Sequence, residues 1–284
     1  MDSISRHEHW RVQYRVDRYM VGLSDAELDL RFADVLSNTT VLTSDGKIGV
    51  GGMEWMEKGT HLQEEYALRG RGLPPADTIR RRLRVPGTAR NEELISAIRS
   101  DYPRGIPDQF TLFKYGERKY LVDFVTGGKL RLAPASVYSD PSLNPAIEDQ
   151  ELELEKIHGA ERKLYKSRTN YYCYCSAIVH SDRLIEDFNA DCIVVITDPA
   201  AFFLRLAEVL DEKEYDLSFK AVQYIDPLLL KEHDVNDLRF VKHMRFAYQF
   251  EHRFVAVPPV PILDLDFRFL DLGSLEDIAT IYGV

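Results

Sequence analysis

The residues best suited to chemistry lie in Lys242–Ala256, KHMRFAYQFEHRFVA. Read as one extended strand, alternation puts Gln249, Glu251 and Arg253 on one face and Phe250, His252 and Phe254 on the other. A carboxylate flanked at two-residue spacing by an amide and a guanidinium is either a structural ion pair, made with Arg253 or Lys242, or a reactive site. A second set of acids, Glu148, Asp149, Glu151, Glu153 and Glu155, falls in a stretch read as a helix from Ala146 to Lys166. Helical spacing groups Glu148, Glu151 and Glu155 on one face. These acids are either solvated, or Asp149 and Glu151 hold a divalent metal in a hydrolase or nuclease. A third set is basic: Arg69, Arg71, Arg80, Arg81, Arg82, Arg84 and Arg90. Arginines so close together in an acidic chain either form a phosphate-holding patch centred on Arg80, Arg81, Arg82 and Arg84 or solvate a helix face.

Several chemistries drop out. Gly49-Val50-Gly51-Gly52 runs into Met53-Glu54 rather than Lys-Ser or Lys-Thr, so it is no P-loop, and it lacks the flanking strand and downstream acid of a dinucleotide fingerprint. No Gly-x-Ser-x-Gly elbow occurs. Cys173-x-Cys175 stands alone, and no Cys or His pairs have zinc spacing. Three cysteines cannot build a disulfide framework, which together with the lack of a signal peptide implies a reducing, cytoplasmic setting. No apolar run approaches the roughly 18 residues of a membrane helix, so no membrane partner is expected.

The chain has 284 residues, 45% of them hydrophobic and 29% charged, enough to bury a core in one large domain or a domain with an appended module. A net charge of −10 excludes a surface given over wholly to nucleic acid but permits a local basic patch. Residues 1–107 read as mainly helical. Ser24 and Glu27 form a capping box before Leu28, a helix spans about Met53 to Leu68, and a capped short helix covers Asn91 to Arg99. Thr43–Lys47 reads as a turn, and Tyr102–Pro107 as the linker, broken by two prolines and a glycine. Residues 108–284 read as α+β with a mixed or antiparallel sheet. Its strands are expected at Phe110–Tyr115, Lys129–Leu132, Tyr171–Ile178, Cys192–Ile196, Lys220–Ile225 and Tyr248–Val257, and its helices at Glu117–Phe124 and Ala200–Leu210.

The order of several short motifs resembles a broad group of bacterial domains of unknown function. They are Leu112-Phe113-Lys114-Tyr115, Lys129–Tyr138, Asn144–Glu151, Tyr172–Ser176, Val222-Gln223-Tyr224, and Phe240-Val241-Lys242 leading to Tyr248–Arg253. The resemblance covers about residues 110–257, and Gln249 stands where that group usually has an acid. The layout also resembles ADP-ribosyltransferases, whose split sheet binds NAD. That resemblance implies a split α+β core preceded by the helical region, Glu251 as catalytic glutamate, and Gln249 as the residue that orients the acceptor. It implies NAD contacts from Lys114 or Tyr115 on the first strand, where that family has Arg or His, from Tyr138 as the stacking aromatic, and from Ser176. Cleaving the nicotinamide–ribose bond builds positive charge on the sugar, which a carboxylate hydrogen-bonded to the 2′-hydroxyl stabilises.

The function so implied is NAD-dependent ADP-ribosyl transfer to a nucleic acid or protein, in a toxin or antiviral defence effector with an antitoxin or regulatory partner. The alternatives are a non-catalytic module presenting Tyr171, Tyr172, Tyr174 and the arginines to a nucleic acid or protein, and the metal-dependent hydrolase or nuclease.

Overall fold

A computed structural model describes residues 4–42, 48–50, 52–75, 92–103, 105–210, 214–231 and 235–283. The expected Thr43–Lys47 turn and Arg80, Arg81, Arg82, Arg84 and Arg90 lie outside the described residues.

The N-terminal region is helical. α1 (Arg6–Val16), α2 (Asp25–Thr39) and α3 (Met53–Leu68) surround one core of Tyr14, Met20, Leu28, Leu62 and Tyr66. The capping box starts α2: the Ser24 hydroxyl accepts from the Glu27 amide at 3.3 Å, and the Glu27 carboxylate accepts from the Ser24 amide at 2.8 Å. Between α2 and α3 run β1 (Thr40–Leu42) and β2 (Ile48–Val50), paired antiparallel.

The second region is built on an antiparallel eight-stranded sheet: β3 (Leu112–Gly116), β4 (Lys129–Pro134), β7 (Tyr172–Ala177), β8 (Cys192–Ile196), β9 (Asp216–Ala221), β12 (Glu251–Val257), β13 (Arg268–Asp271) and β14 (Ala279–Tyr282). β7 is its axis. Along one edge it pairs with β12 from Tyr172 to Ala177, and β12 pairs in turn with β9. Along the other edge β4 meets only Tyr172 and Cys173, and β3 only Ala177. The sheet therefore splits beside Tyr174, Cys175 and Ser176.

α5 (Arg118–Gly127) and α7 (Pro199–Val209) cover one face through Leu121, Phe124, Phe202 and Leu206. α4 (Glu92–Asp101) and α6 (Asp182–Asp187) cover part of the other through Leu94, Ile98, Leu184 and Ile185. α4 thus joins the core of the sheet rather than that of the three helices before it. α5 ends on Gly128, whose φ of +63° supplies the left-handed cap that glycine adopts without penalty.

Three expectations are corrected. Ala146–Lys166 is not a helix: after a turn it forms the hairpin β5 (Glu153–His158) and β6 (Glu161–Lys166), reversing at Gly159 with φ +58°. Alternation puts Glu153 opposite Lys166, and their side chains pair across the ladder at 2.5 Å. Nor is Lys242–Ala256 one strand. β11 (Val241–His243), parallel to β10 (Gln223–Ile225), gives way to a 3-10 turn over Met244–Gln249. Phe250 then takes a left-handed backbone (φ +46°) before β12 begins. Gln249 therefore precedes the strand instead of alternating along it. The expected Lys220–Ile225 strand likewise divides into β9 and β10 around Val222.

The helical region helps hold that 3-10 turn. From α2, the Asn38 amide donates to the carbonyls of Met244 and Arg245, each at 3.2 Å, and its oxygen accepts from the Tyr248 amide at 2.9 Å. Arg31 on α2 meets Asp226 through two bonds of 2.6 and 2.8 Å.

Candidate functional site

β12 carries Glu251 and Arg253 on the face it shares with Cys175 and Ala177 of β7. There a buried ionic network forms around Arg253, which is 0% exposed. Its two terminal nitrogens grip Glu151 at 2.6 and 2.7 Å, its Nε donates to Glu251, and Nη1 also donates to the Arg239 carbonyl at 2.9 Å. Lys242 on β11 completes the ring. Its ammonium donates to Glu251 Oε2 at 2.8 Å and to Gln249 Oε1 at 3.3 Å, and lies 3.8 Å from Glu151 and 4.0 Å from Asp149. Gln249 spends its amide on the Ala146 carbonyl at 2.8 Å, so the 3-10 turn delivers it to the cluster by a route strand alternation does not supply. The Tyr224 hydroxyl accepts from the Glu251 amide at 2.7 Å, and Tyr171 donates to the Glu151 carbonyl at 3.2 Å.

The electrostatics separate the two glutamates. Burial pushes Glu251 up, but the charges of Arg253 and Lys242 outweigh it and hold the carboxyl far below the usual range. For Glu151 burial is the larger influence, and its carboxyl sits above its ordinary value despite Arg253 and Lys242. Burial lowers Lys242, yet Glu251, Glu151 and Asp149 together raise it and keep it charged. Each Glu251 oxygen carries one charge-assisted bond and retains a second lone-pair direction.

The expected site residues do not all meet. Glu251, Gln249 and Tyr138 are on one side of β7; Tyr138 packs with Tyr171, Cys173 and Cys175, and burial, with Glu151 and Glu251 adding to it, pushes its hydroxyl well up. Lys114 and Ser176 are on the other side. Phe113, Ala177 and Glu251 are in cross-strand register, so the adjacent Lys114 and Ser176 alternate to the opposite face. At the split in the sheet, Lys114 donates to the Cys175 carbonyl at 2.8 Å and its ammonium stands 4.6 Å from the Tyr174 ring. Burial lowers it below its ordinary range. Ser176 donates to the His252 carbonyl at 3.2 Å. Tyr115 is engaged elsewhere, its hydroxyl 2.9 Å from His180, which in turn contacts Asp182 at 3.0 Å.

Of the arginine run, Arg69 and Arg71 are described, and both are bound to acids of the helical region: Arg69 to Glu65 and Asp25, Arg71 to Asp25 and Asp29. Asp149 and Glu151, the acids expected to hold a metal, belong to the network instead, with Glu151 gripped by Arg253. Among the described residues no group of three or more His, Cys, Asp or Glu side chains could hold a metal ion.

Sequence reasoning treated Glu151 and Glu251 as separate sites. No local signal joins them, because 102 residues separate Glu151 from Arg253. The network also borders a cavity of ≈ 380 Å³ between α2, the β5–β6 hairpin and the turn at Pro227–Leu228, with Asp149, Lys242 and Arg245 on its wall. No family model, curated protein or solved structure matches this chain.

Proposed function

We propose that this chain is an enzyme of the ADP-ribosyltransferase type, transferring ADP-ribose from NAD to a nucleic acid or protein, with Glu251 as the reacting carboxylate. The observation that carries this reading is Glu251 itself: buried, ionised and held between Lys242 and Arg253 at the first position of a central strand. A fixed negative charge in a water-poor setting stabilises a sugar that becomes cationic as nicotinamide leaves, and it needs no reorganisation at that moment. Accepting a bond from the ribose 2′-hydroxyl is compatible with the lone pairs Glu251 retains. Gln249, bonded to Lys242, orients the acceptor, and Tyr138 offers a ring on the same side of β7. Lys114 and Ser176 face away and take no part in this step. The test is transfer of labelled ADP-ribose from NAD to RNA or to lysate protein. Transfer that depends on Glu251 supports the reading; none by the folded wild-type chain, or equal transfer by Glu251→Gln, removes it.

A second reading has its own support. Arg253 is fully enclosed and spends its donors on two glutamates and a carbonyl, as expected of a structural lock tying β12 to the residues ahead of β5. The chain would then be a binding module without NAD chemistry. Binding of RNA or protein that survives Glu251→Gln, with no release of nicotinamide, favours this alternative.

A further inference from the structure

We propose that the cavity between α2, the β5–β6 hairpin and the Pro227–Leu228 turn binds a small amphipathic anion, its apolar body against the hairpin and its carboxylate or phosphate on Arg245. This site is independent of the transferase reading, since neither Glu251 nor Arg253 lines it.

The volume of ≈ 380 Å³ suits a compact organic molecule. One part of the wall is apolar: Leu30 from α2, Leu154 and Ile157 from β5, Leu228 and Met244. The rest is polar, with Arg31, Lys242 and Arg245. Arg31 is only 6% exposed, whereas the Arg245 side chain keeps 32% of its surface accessible.

The charges on the wall select the sign of the ligand. Glu27 and Glu155 are bound by Arg162, and Glu153 by Lys166. Arg31 is matched by Asp226, and Lys242 by Glu251. Asp34 also faces the cavity from α2. Arg245 is the cation held most loosely: it donates to the Glu148 carbonyl at 2.8 Å and lies on the Phe246 ring at 4.4 Å, but its nearest carboxylate, Asp149, is 4.0 Å away. A planar anion on this fork gains charge-assisted hydrogen bonds that the protein does not provide. Lys242 lines this cavity and also bonds Glu251, so an occupant would bear on the ionic network through it.

The test is equilibrium binding to the full-length chain of three probes sharing a phenyl body, namely phenylacetate, phenyl phosphate and phenethylamine, followed by ligand-observed NMR. Saturable binding of an anionic probe is expected, and comparison of the first two shows whether carboxylate or phosphate is preferred. Arg245→Met, which removes the charge at a partly exposed position, should weaken that binding at least about tenfold, or 1.4 kcal/mol. Leu30→Trp, at an exposed position on α2, should fill the cavity and abolish it. No saturable binding of either anion, equal or tighter binding of phenethylamine, or unchanged affinity in Arg245→Met would each overturn the proposal. Circular dichroism of both variants establishes that they are folded.

Discussion

Replacing Arg253 by Met tests the ionic network at its centre. The substitution keeps an unbranched side chain but removes the cation facing both oxygens of Glu151 and strips donors from Glu151 Oε1, Glu251 Oε1 and the Arg239 carbonyl. Two glutamates then share one buried cation, Lys242. Removing one member of a buried pair costs about 3–5 kcal/mol, because the partner is left charged and unsolvated. That is a large share of the roughly 5–15 kcal/mol that holds a typical domain together. Urea unfolding at neutral pH, followed by circular dichroism, measures the loss. The network account further requires non-additivity. Adding Glu151→Leu to Arg253→Met removes the acid that was stranded, so the double variant should recover part of the stability, with a coupling of roughly 1–3 kcal/mol. A single variant within about 1 kcal/mol of wild type, or a double variant whose cost equals the sum of its parts, would show that the guanidinium is not what neutralises these acids.

Other outcomes follow from the same structure. Gly128→Ala should destabilise by more than about 2 kcal/mol, since a Cβ there would lie 2.0 Å from the Gly273 carbonyl oxygen on a left-handed backbone; an unchanged melting temperature contradicts this. Asn38→Ala removes bonds to Met244, Arg245 and Tyr248 and should cost about 1–3 kcal/mol, with amide exchange in the Met244–Gln249 turn accelerated. Burial lowers the pKa of His243 and of His252 to about 4, against roughly 6.5 for a free imidazole. Between those values the unfolded chain binds protons that the folded chain refuses, so stability is full above pH 6.5 and falls as the pH drops towards 4. His252→Phe should flatten that slope in pH-resolved unfolding, and an unaltered slope would show that His252 is not a source.

Much of the scaffold was legible because local rules and tertiary demand coincide. The capping box at Ser24 starts α2, and the apolar run Cys192–Ile196 is a strand buried between β3 and β14. The hairpin at Glu153–Lys166 was not legible. Its acids and bases fit a charged helix as well as a surface ladder, and the Gly159 turn decided between them. The Met244–Gln249 turn was hidden for a different reason. Phe250 adopts a positive φ that its residue type does not signal, and contacts from Asn38, more than 200 residues away, help hold the turn. The pairing of Glu251 with Arg253 on one strand face followed from alternation, and Lys242 was the alternative partner for that carboxylate. The convergence of Glu151 and Asp149 on them did not, since it is created by the path of the chain before β5. Lys114 illustrates the same limit: its position on the first strand was readable, but its side of the sheet depended on the register with β7.

Nicotinamide release is the most direct measurement, because it does not depend on knowing the acceptor. Purified wild-type chain and Glu251→Gln, both verified as folded at the assay temperature, are incubated with NAD, and free nicotinamide is quantified by chromatography. The account predicts release by the wild type that falls by at least about a hundredfold in Glu251→Gln, the scale on which a single electrostatic contact to a developing charge acts. Release that persists undiminished without the Glu251 carboxylate, or a well-folded wild type that leaves NAD intact with and without RNA or lysate protein, would contradict it.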